Sequence, residues 1–426
     1  MILAIRVKNF LVYSEEVELS LRANQRIRRM RANTIEAGKL SVLKSVGIYG
    51  ANNAGKTCVV KAFRTIKSVL LSRFTDFPVV NLFSGDPVCR MSVDFTEGDR
   101  VFRYEFAFNN LETAELPRGF VYENFAELKI DKYGNESWTE ILQKDLERGK
   151  YKFPADKRVE ELMKSVAANN ILIYTINTEK FEALDEIKKR LYACAEGIEI
   201  VDLNNIPIER TIALLKDKNA DKSKVVELIK NADVDIEDYY YREPNVRTNI
   251  AQIKGVPQEA VLREQNLAKD MLCLMSNHRG KEVPSLFFDS TGTKKIVALA
   301  SYIVEALEKG KTLVVDELDS SLHFRITRAI VALFNNELNT KAQLVFTLHD
   351  ISLLDCKTLF RKDQLWFAAK DGGEAELYSL DEFSAQDGTR ADTSDIAEQY
   401  RKGMFGAIPD PDLINILLGK KRNESD

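Results

Sequence analysis

Gly50-Ala51-Asn52-Asn53-Ala54-Gly55-Lys56-Thr57 fits the pattern G-x-x-x-x-G-K-[ST] at every fixed position. Glycines there let a backbone wrap closely enough to turn its N–H groups onto phosphate oxygens. A lysine at this place reaches the outer phosphates of a nucleotide, and the threonine hydroxyl suits a magnesium ion. Gly50, Asn52, Asn53, Ala54, Gly55, Lys56, Thr57 and the following Cys58 are therefore the expected phosphate-binding group. Far downstream, Thr312-Leu313-Val314-Val315-Asp316-Glu317 is an apolar run closing on two carboxylates. Asp316 is the expected second magnesium ligand beside Thr57, usually through water. Glu317 is placed to orient and activate the attacking water. Taken alone, an apolar run ending in Asp-Glu also describes a strand that stops in a solvated turn.

These side chains need a strand, a loop and a helix in that order, and the flanking sequence supplies them. Ser45 to Tyr49 is an apolar run entering the glycine loop, and a helical pattern follows from Lys56 to about Leu71. Ile2 to Val7 and Val17 to Leu21 read as strands by their alternation. A hairpin is expected between Met91 and Phe108 around Glu97-Gly98-Asp99, and a second strand pair around Tyr133-Gly134-Asn135. From about Leu142 to Arg279 the pattern reads as mainly helical, clearest over Lys224–Lys230 and Ala260–Met275. No heptad is sustained, so a long coiled-coil arm is not expected. Buried-strand runs return at Thr312–Val315 and Gln343–Thr347, each preceded by a helix, which implies a parallel sheet. The expected fold is α/β: a phosphate-loop lobe, a mixed sheet with parallel core and flanking helices, split by a mostly helical α+β insertion. The boundaries read as 1–110 and 285–426 for the lobe and 111–284 for an inserted partner or sensor region.

Composition narrows the setting. Among 426 residues, 45% are apolar and 30% charged, the balance of a folded soluble chain. No apolar run is long enough to span a membrane, and the first residues lack the long apolar core of a signal peptide. The five cysteines are scattered without a C-x-x-C pair, which fits a reducing, cytoplasmic setting and argues against structural zinc. A net charge of −4 gives no global reason to expect nucleic acid. Arg22, Arg26, Arg28, Arg29 and Arg31 form a local exception, readable as a solvated face or as a phosphate-contacting patch for nucleic acid.

Three further features choose among phosphate-loop proteins. Ser290-Thr291-Gly292-Thr293-Lys294-Lys295 opens a helix upstream of Asp316, where a serine and a glycine at a helix N-terminus offer donors to a γ-phosphate. The plain alternative is an ordinary N-cap. Leu318-Asp319-Ser320-Ser321-Leu322-His323 directly follows Glu317, and Phe346-Thr347-Leu348-His349-Asp350 puts a histidine just after an apolar strand. In this order they resemble the signature, D-loop and switch histidine of ABC-type ATPases. His278, the remaining histidine, has no such context and is expected to be structural or exposed.

The chain resembles the ABC-type ATPases of bacterial phage-defence operons, the RloA/AbiLi group, relatives of SMC-like and OLD-family ATPases. The resemblance runs from Val7-Lys8-Asn9-Phe10 through GANNAGKT, Asp289–Lys295 and VVDELDSSLH to Arg361–Phe367 and Gly403–Pro409. It departs in three places: the signature lacks the leucine and second glycine of transporter ATPases, Phe324 replaces a common proline, and no glutamine-loop residue can be placed. The resemblance implies ATP and Mg2+ as ligands, with Glu317 and His349 catalytic and Ser290, Gly292, Thr293 and Asp319 contacting nucleotide. It implies an ATP-sandwich dimer or a higher oligomer, a separately encoded effector, and a sensor or regulator role in defence. The 77 residues after His349 are too few for a Toprim nuclease, so no toxin is expected within the chain. A DNA-repair or chromosome-structural ATPase is the alternative. A transporter subunit fits less well, because the span from Lys56 to Asp316 is too long.

Overall fold

Two strands, β1 (Ile2–Lys8) and β2 (Val17–Ser20), open the chain, and a small hairpin, β3 (Thr34–Ala37) and β4 (Leu40–Leu43), leads into β5 (Ser45–Gly50). The computed structural model describes residues 1–426 apart from 74–77, 115, 233–234, 244–265, 372–373, 384–394 and 408–426. Helix α1 (Lys56–Leu70) follows the glycine loop. Then come β6 (Val88–Glu97), β7 (Arg100–Asn109), β8 (Gly119–Ile130), β9 (Glu136–Asp145) and β10 (Lys150–Lys152). They join β1 and β2 in one antiparallel sheet of order β10-β9-β8-β7-β6-β1-β2. Both expected hairpins are present, with turns at Glu97–Arg100 and at 131–135.

Helices α2 (Lys157–Lys164), α3 (Leu172–Thr175) and α4 (Glu182–Glu196) precede β11 (Ile198–Asp202). A small lobe follows: α5 (Glu209–Lys216), α6 (Ser223–Ala232), β12 (Asp238–Tyr241), a helix over 266–272 (α7), β13 (Leu274–His278), β14 (Lys281–Pro284) and α8 (Ser285–Phe288). Its three strands pair as β12-β13-β14, and its core, with Ile212, Leu215, Ile229, Tyr239 and Leu274, packs on Val297, Ala298 and Ala300. The chain then runs through α9 (Thr291–Lys309), β15 (Thr312–Asp316), α10 (Phe324–Asn335), β16 (Gln343–Thr347), β17 (Leu365–Asp371), β18 (Glu374–Ser379) and α11 (Ile396–Arg401).

The second large sheet has the order β11-β15-β16-β5-β17-β18, parallel except for β18. All residues of β5, β15 and β16 are buried, which is why they read as continuous apolar runs: a central parallel strand is covered on both faces. Helix α1 buries Val59, Val60, Phe63, Ile66 and Val69 between the two large sheets. Helices α9 and α10 cover the opposite face of the parallel sheet through Leu299, Ile303, Val331 and Phe334. Gln343 stitches the layers: it accepts from Ile2 N at 2.7 Å and donates to Ile2 O at 2.9 Å and Leu43 O at 3.2 Å.

The stretch from Leu142 to Arg279 is less helical than its sequence pattern. β9 and β10 continue the antiparallel sheet, and β11 pairs in register with β15, so part of the stretch 111–284 is structurally the lobe itself. As a five-residue edge strand, β11 fully buries only Ile198 and Val201, too little alternation to stand out beside α4. The helix expected over Ala260–Met275 starts outside the described residues. Its end is overridden, because Leu274 and Met275 lie in β13, where pairing on both sides outweighs local helix preference.

Candidate functional site

The glycine loop leaves β5 where β17 runs closest. Gly50 has φ 152°, and a Cβ on it would stand 2.1 Å from the Ala368 carbonyl oxygen, so only glycine fits. At the other end Gly55 has φ 113° and lies against Tyr13, whose hydroxyl donates to the Gly55 carbonyl at 3.1 Å. Asn52 and Asn53 are exposed, while Ala54 is buried and its N–H closes on Ala51 O at 3.3 Å. Cys58 lies in the first turn of α1 with its N–H on Gly55 O, and burial pushes its thiol pKa up. Lys56 is buried, with Nζ donating to the carbonyls of Gly50 at 2.6 Å and Ala51 at 3.0 Å. Burial lowers its pKa, while the charges of Glu317, Asp319 and Asp316 act in the opposite sense.

β15 delivers Asp316 to the same corner. Thr57 Oγ1 lies 3.5 Å from Asp316 Oδ1, which also accepts from Thr347 Oγ1 at 2.6 Å. Thr347 in turn accepts from the Glu317 N–H at 2.7 Å. Glu317 adopts φ 52°, a left-handed backbone rare outside glycine and costly enough to mark functional positions. Its carboxylate stands between two side chains: Asn204 Nδ2 donates to Oε2 at 3.1 Å, and His349 Nε2 lies 3.8 Å from Oε1. Asp319 is turned toward the loop after β16, where Oδ2 accepts from His349 N at 2.8 Å and Asp350 N at 2.6 Å. Its Oδ1 is buried without a partner among the described residues.

The second cluster forms at the N-terminus of α9. Ser290 is its N-cap, accepting from Thr293 N at 3.1 Å, with the two hydroxyls 2.9 Å apart. The N-cap reading is therefore true of Ser290, and it leaves the serine on an exposed corner. A Cβ on Gly292 would stand 2.6 Å from the Ser321 carbonyl oxygen, and Lys295 Nζ donates to Ser320 Oγ at 2.9 Å. Residues 318–321 thus join the two clusters, with Asp319 on the histidine loop and Ser320 and Ser321 on α9. Helix α9 doubles back into β15 through Gly310 and Lys311. With 19 residues it is about 28 Å long at ~1.5 Å per residue, against about 17 Å for the strand. Ser290 therefore projects roughly 10 Å past the strand end that carries Asp316.

Sequence reasoning missed Asn204 and Tyr13. β11 pairs Asp202 with Asp316 in register, so Asn204 emerges beside Glu317. The available signal was the polar Asp-Leu-Asn-Asn ending on a short apolar run. The arginine cluster is split: Arg22 forms a bidentate pair with Glu136, whereas Arg26, Arg28, Arg29 and Arg31 are exposed. Buried Arg361, paired with Asp363, holds that loop by donating to the carbonyls of Asn24, Ile27 and Arg29. Among the described residues no helix is long and apolar enough to cross a membrane.

No curated protein matches the sequence. Solved structures that resemble it include the SMC head domain from Thermotoga maritima, at 12% identity over 89% of this chain and 98% of that one, TM-score 0.42. The recombination mediator protein RecF with ATPrS matches at 14% identity over 88% and 98%, TM-score 0.37. The Pyrococcus furiosus Smc head with an extended coiled coil, bound to the C-terminal domain of ScpA, matches at 11% over 94% and 99%, TM-score 0.39. These likenesses are too distant to carry residue roles across. Residues 45–355, from the strand before the glycine loop to beyond His349, match the model described as "AAA domain, putative AbiEii toxin, Type IV TA system", and the chain belongs to this family of AAA-type ATPase domains.

Proposed function

We propose that this chain hydrolyses ATP with Mg2+ at a site that a second copy completes. The carrying observation is the meeting of Thr57 and Asp316 at 3.5 Å, with the adjacent Glu317 held between Asn204 and His349. The corner suits the ligands. Gly50 and Gly55 leave bare backbone, and among the described residues Lys56 makes no ion pair, only bonds to carbonyls. Lys56 and the N–H groups from Asn52 to Cys58 would hold the β- and γ-phosphates, and Thr57 and Asp316 would hold Mg2+. Bound Mg2+ supplies charge neutralisation at the phosphates. Glu317 is the base that takes the proton of the attacking water, and His349 meets the γ-phosphate side from a loop fixed by Asp319.

Ser290, Gly292 and Thr293 stand past the strand end, and each chain carries one glycine loop and one such helix end. Two copies paired about a two-fold axis would each complete the other's site, in a dimer or a higher assembly. We read the whole as the sensor or regulator ATPase of a bacterial anti-phage system of the RloA/AbiLi group, cytoplasmic and working with a separately encoded effector. The family's description in terms of a toxin and a type IV system supports a defence setting. Within the stretch 111–284, the small lobe between β11 and α9 is the best candidate for partner recognition, since β8–β11 belong to the two large sheets. One observation favours the DNA-repair alternative: the exposed arginines of the loop held by Arg361 suit phosphate contacts.

Gly292→Asp tests the shared site. It should block ATP-dependent pairing while monomer ATP binding survives, whereas Lys56→Ala should lose ATP binding itself. Mixing the two variants should restore some ATPase, because one composite site keeps a good loop and a good helix end. A Gly292→Asp protein that hydrolyses ATP normally as a proven monomer would refute the shared site. Phage challenge of wild type and Glu317→Gln, with recovery of the native complex, separates the two roles: an effector supports defence, broken DNA ends support repair.

A further inference from the structure

Asp289, one residue before the N-cap of α9, is a carboxylate with no exposed side-chain surface. It does not cap the helix; Ser290 does that. Its oxygens turn to the small lobe instead. Oδ1 accepts from Ser276 Oγ at 2.7 Å and lies 3.1 Å from His278 Nε2, and those two atoms are 3.0 Å apart. Oδ2 is buried and has no partner among the described residues. Ser276 and His278 are alternate residues of β13, so they face the same way, and β13 is the central strand of the three-stranded sheet. The neighbouring strand is fastened to the same segment: Tyr239 on β12 bonds to Ser285 at 2.5 Å, and Asp289 N closes on Ser285 O at 2.9 Å.

This is costly construction for a mere join. Burying a carboxylate is costly even after relaxation, and an apolar residue of similar size often stabilises a fold better. The carboxylate does, however, give direction. It allows only placements of residue 289 that keep both β13 donors in reach, and residue 289 carries Ser290 and Gly292 with it.

We propose that Ser276, His278 and Asp289 form a latch whose task is to position Ser290 and Gly292 for the nucleotide of a second copy. His278 is its positioning residue, partly exposed at 30% of its side chain and so reachable from the lobe surface. Any partner that tilts the three-stranded sheet then acts on the shared ATP site through β13. The inference rests on the shared-site reading.

The test compares His278→Ala with His278→Gln, whose amide N–H can replace the imidazole donor. A lost hydrogen bond to a buried charged group corresponds to about ten- to hundredfold in an equilibrium. His278→Ala should weaken ATP-driven self-association by that factor, measured in a Glu317→Gln background that holds ATP. Its kcat should fall while monomer ATP affinity stays at the wild-type value, and His278→Gln should recover most of both. Unchanged association and kcat in His278→Ala would overturn the latch. So would a parallel loss of melting temperature and ATP affinity without rescue by glutamine, since that marks a merely structural role. Gly292→Asp run alongside separates the two failures. If it too leaves association and turnover intact, the shared site falls and takes the latch with it; if only His278→Ala is silent, the latch alone is wrong.

Discussion

At the phosphate corner most polar groups are answered within the chain. Lys56 bonds to Gly50 and Ala51, Thr57 faces Asp316, Asp316 takes Thr347, and Glu317 takes Asn204. The corner is framed by strands whose residues are all buried. The α9 corner is more open to solvent. Ser290 and Thr291 are exposed, and just before them Phe287 and Phe288 stand 70% and 66% open to solvent. Phe324, following the loop that links the corners, is also exposed. Exposed apolar side chains of this size are what the proposed pairing would cover. One corner is largely closed within the single chain; the other is left open, as the proposed pairing requires.

The largest effect should come from Glu317→Gln. The amide keeps the bond to Asn204 and the shape of the corner but cannot take a proton, so turnover should drop about 10²–10⁴-fold while ATP binding remains. A phosphate-release assay and an ATP-binding titration on the same protein check this, and near wild-type turnover would move the base elsewhere. Asn204→Ala should cost less, roughly three- to tenfold in kcat, as expected for one solvent-exposed hydrogen bond to a carboxylate. On a Glu317→Gln background it should add nothing, because it acts through the same carboxylate. An additive loss would give Asn204 a separate role.

Lys56 offers a sharper test of how closed the phosphate corner is. Burial lowers its pKa from the ordinary 10.5, so between the two values the unfolded chain holds more protons than the folded one. Stability without nucleotide should therefore rise with pH across that window. Bound phosphate favours the charged form, so ATP affinity should fall over the same window, below 10.5. Melting curves and ATP titrations across alkaline pH would show the opposed slopes, and Lys56→Met should flatten the stability slope. The smallest effect belongs to Tyr13→Phe, which removes the hydroxyl donor from a Gly55 carbonyl still held by Cys58 N and Val59 N, and should cost about 1 kcal/mol of stability in a urea titration. No change would mean the loop keeps its shape without that brace.

What the sequence disclosed follows the same division. The glycine loop, α1 and the Asp316–Glu317 strand end are legible because the proposed phosphate and metal contacts need adjacent residues of fixed type. Tyr13 and Asn204 are not, since each reaches its partner only through sheet topology: Tyr13 meets Gly55 42 positions on, and Asn204 meets Glu317 113 positions on. The small lobe was hidden for a different reason. Its strands are short, and β12 carries tyrosines at Tyr239, Tyr240 and Tyr241 with only Tyr239 buried, so no alternating pattern emerges. His278 carried no motif at all; its partner Asp289 lies across a turn of β-structure that the sequence did not announce.

Gln343 bears on how this protein is made. Its side chain binds both backbone groups of Ile2, 341 residues earlier, as well as the Leu43 carbonyl, and it accepts from Thr312 Oγ1 at 2.9 Å. A ribosome delivers these partners far apart in time, at about 5–20 residues per second. The seam between the two large sheets cannot close until residue 343 has left the exit tunnel. Until then Val46, Ile48, Phe63 and Ile66, which end up between those sheets, lack one of their walls. Folding of the ATPase body is thus deferred until β16 is available, and in that interval the unmatched apolar strands stay open to misassociation.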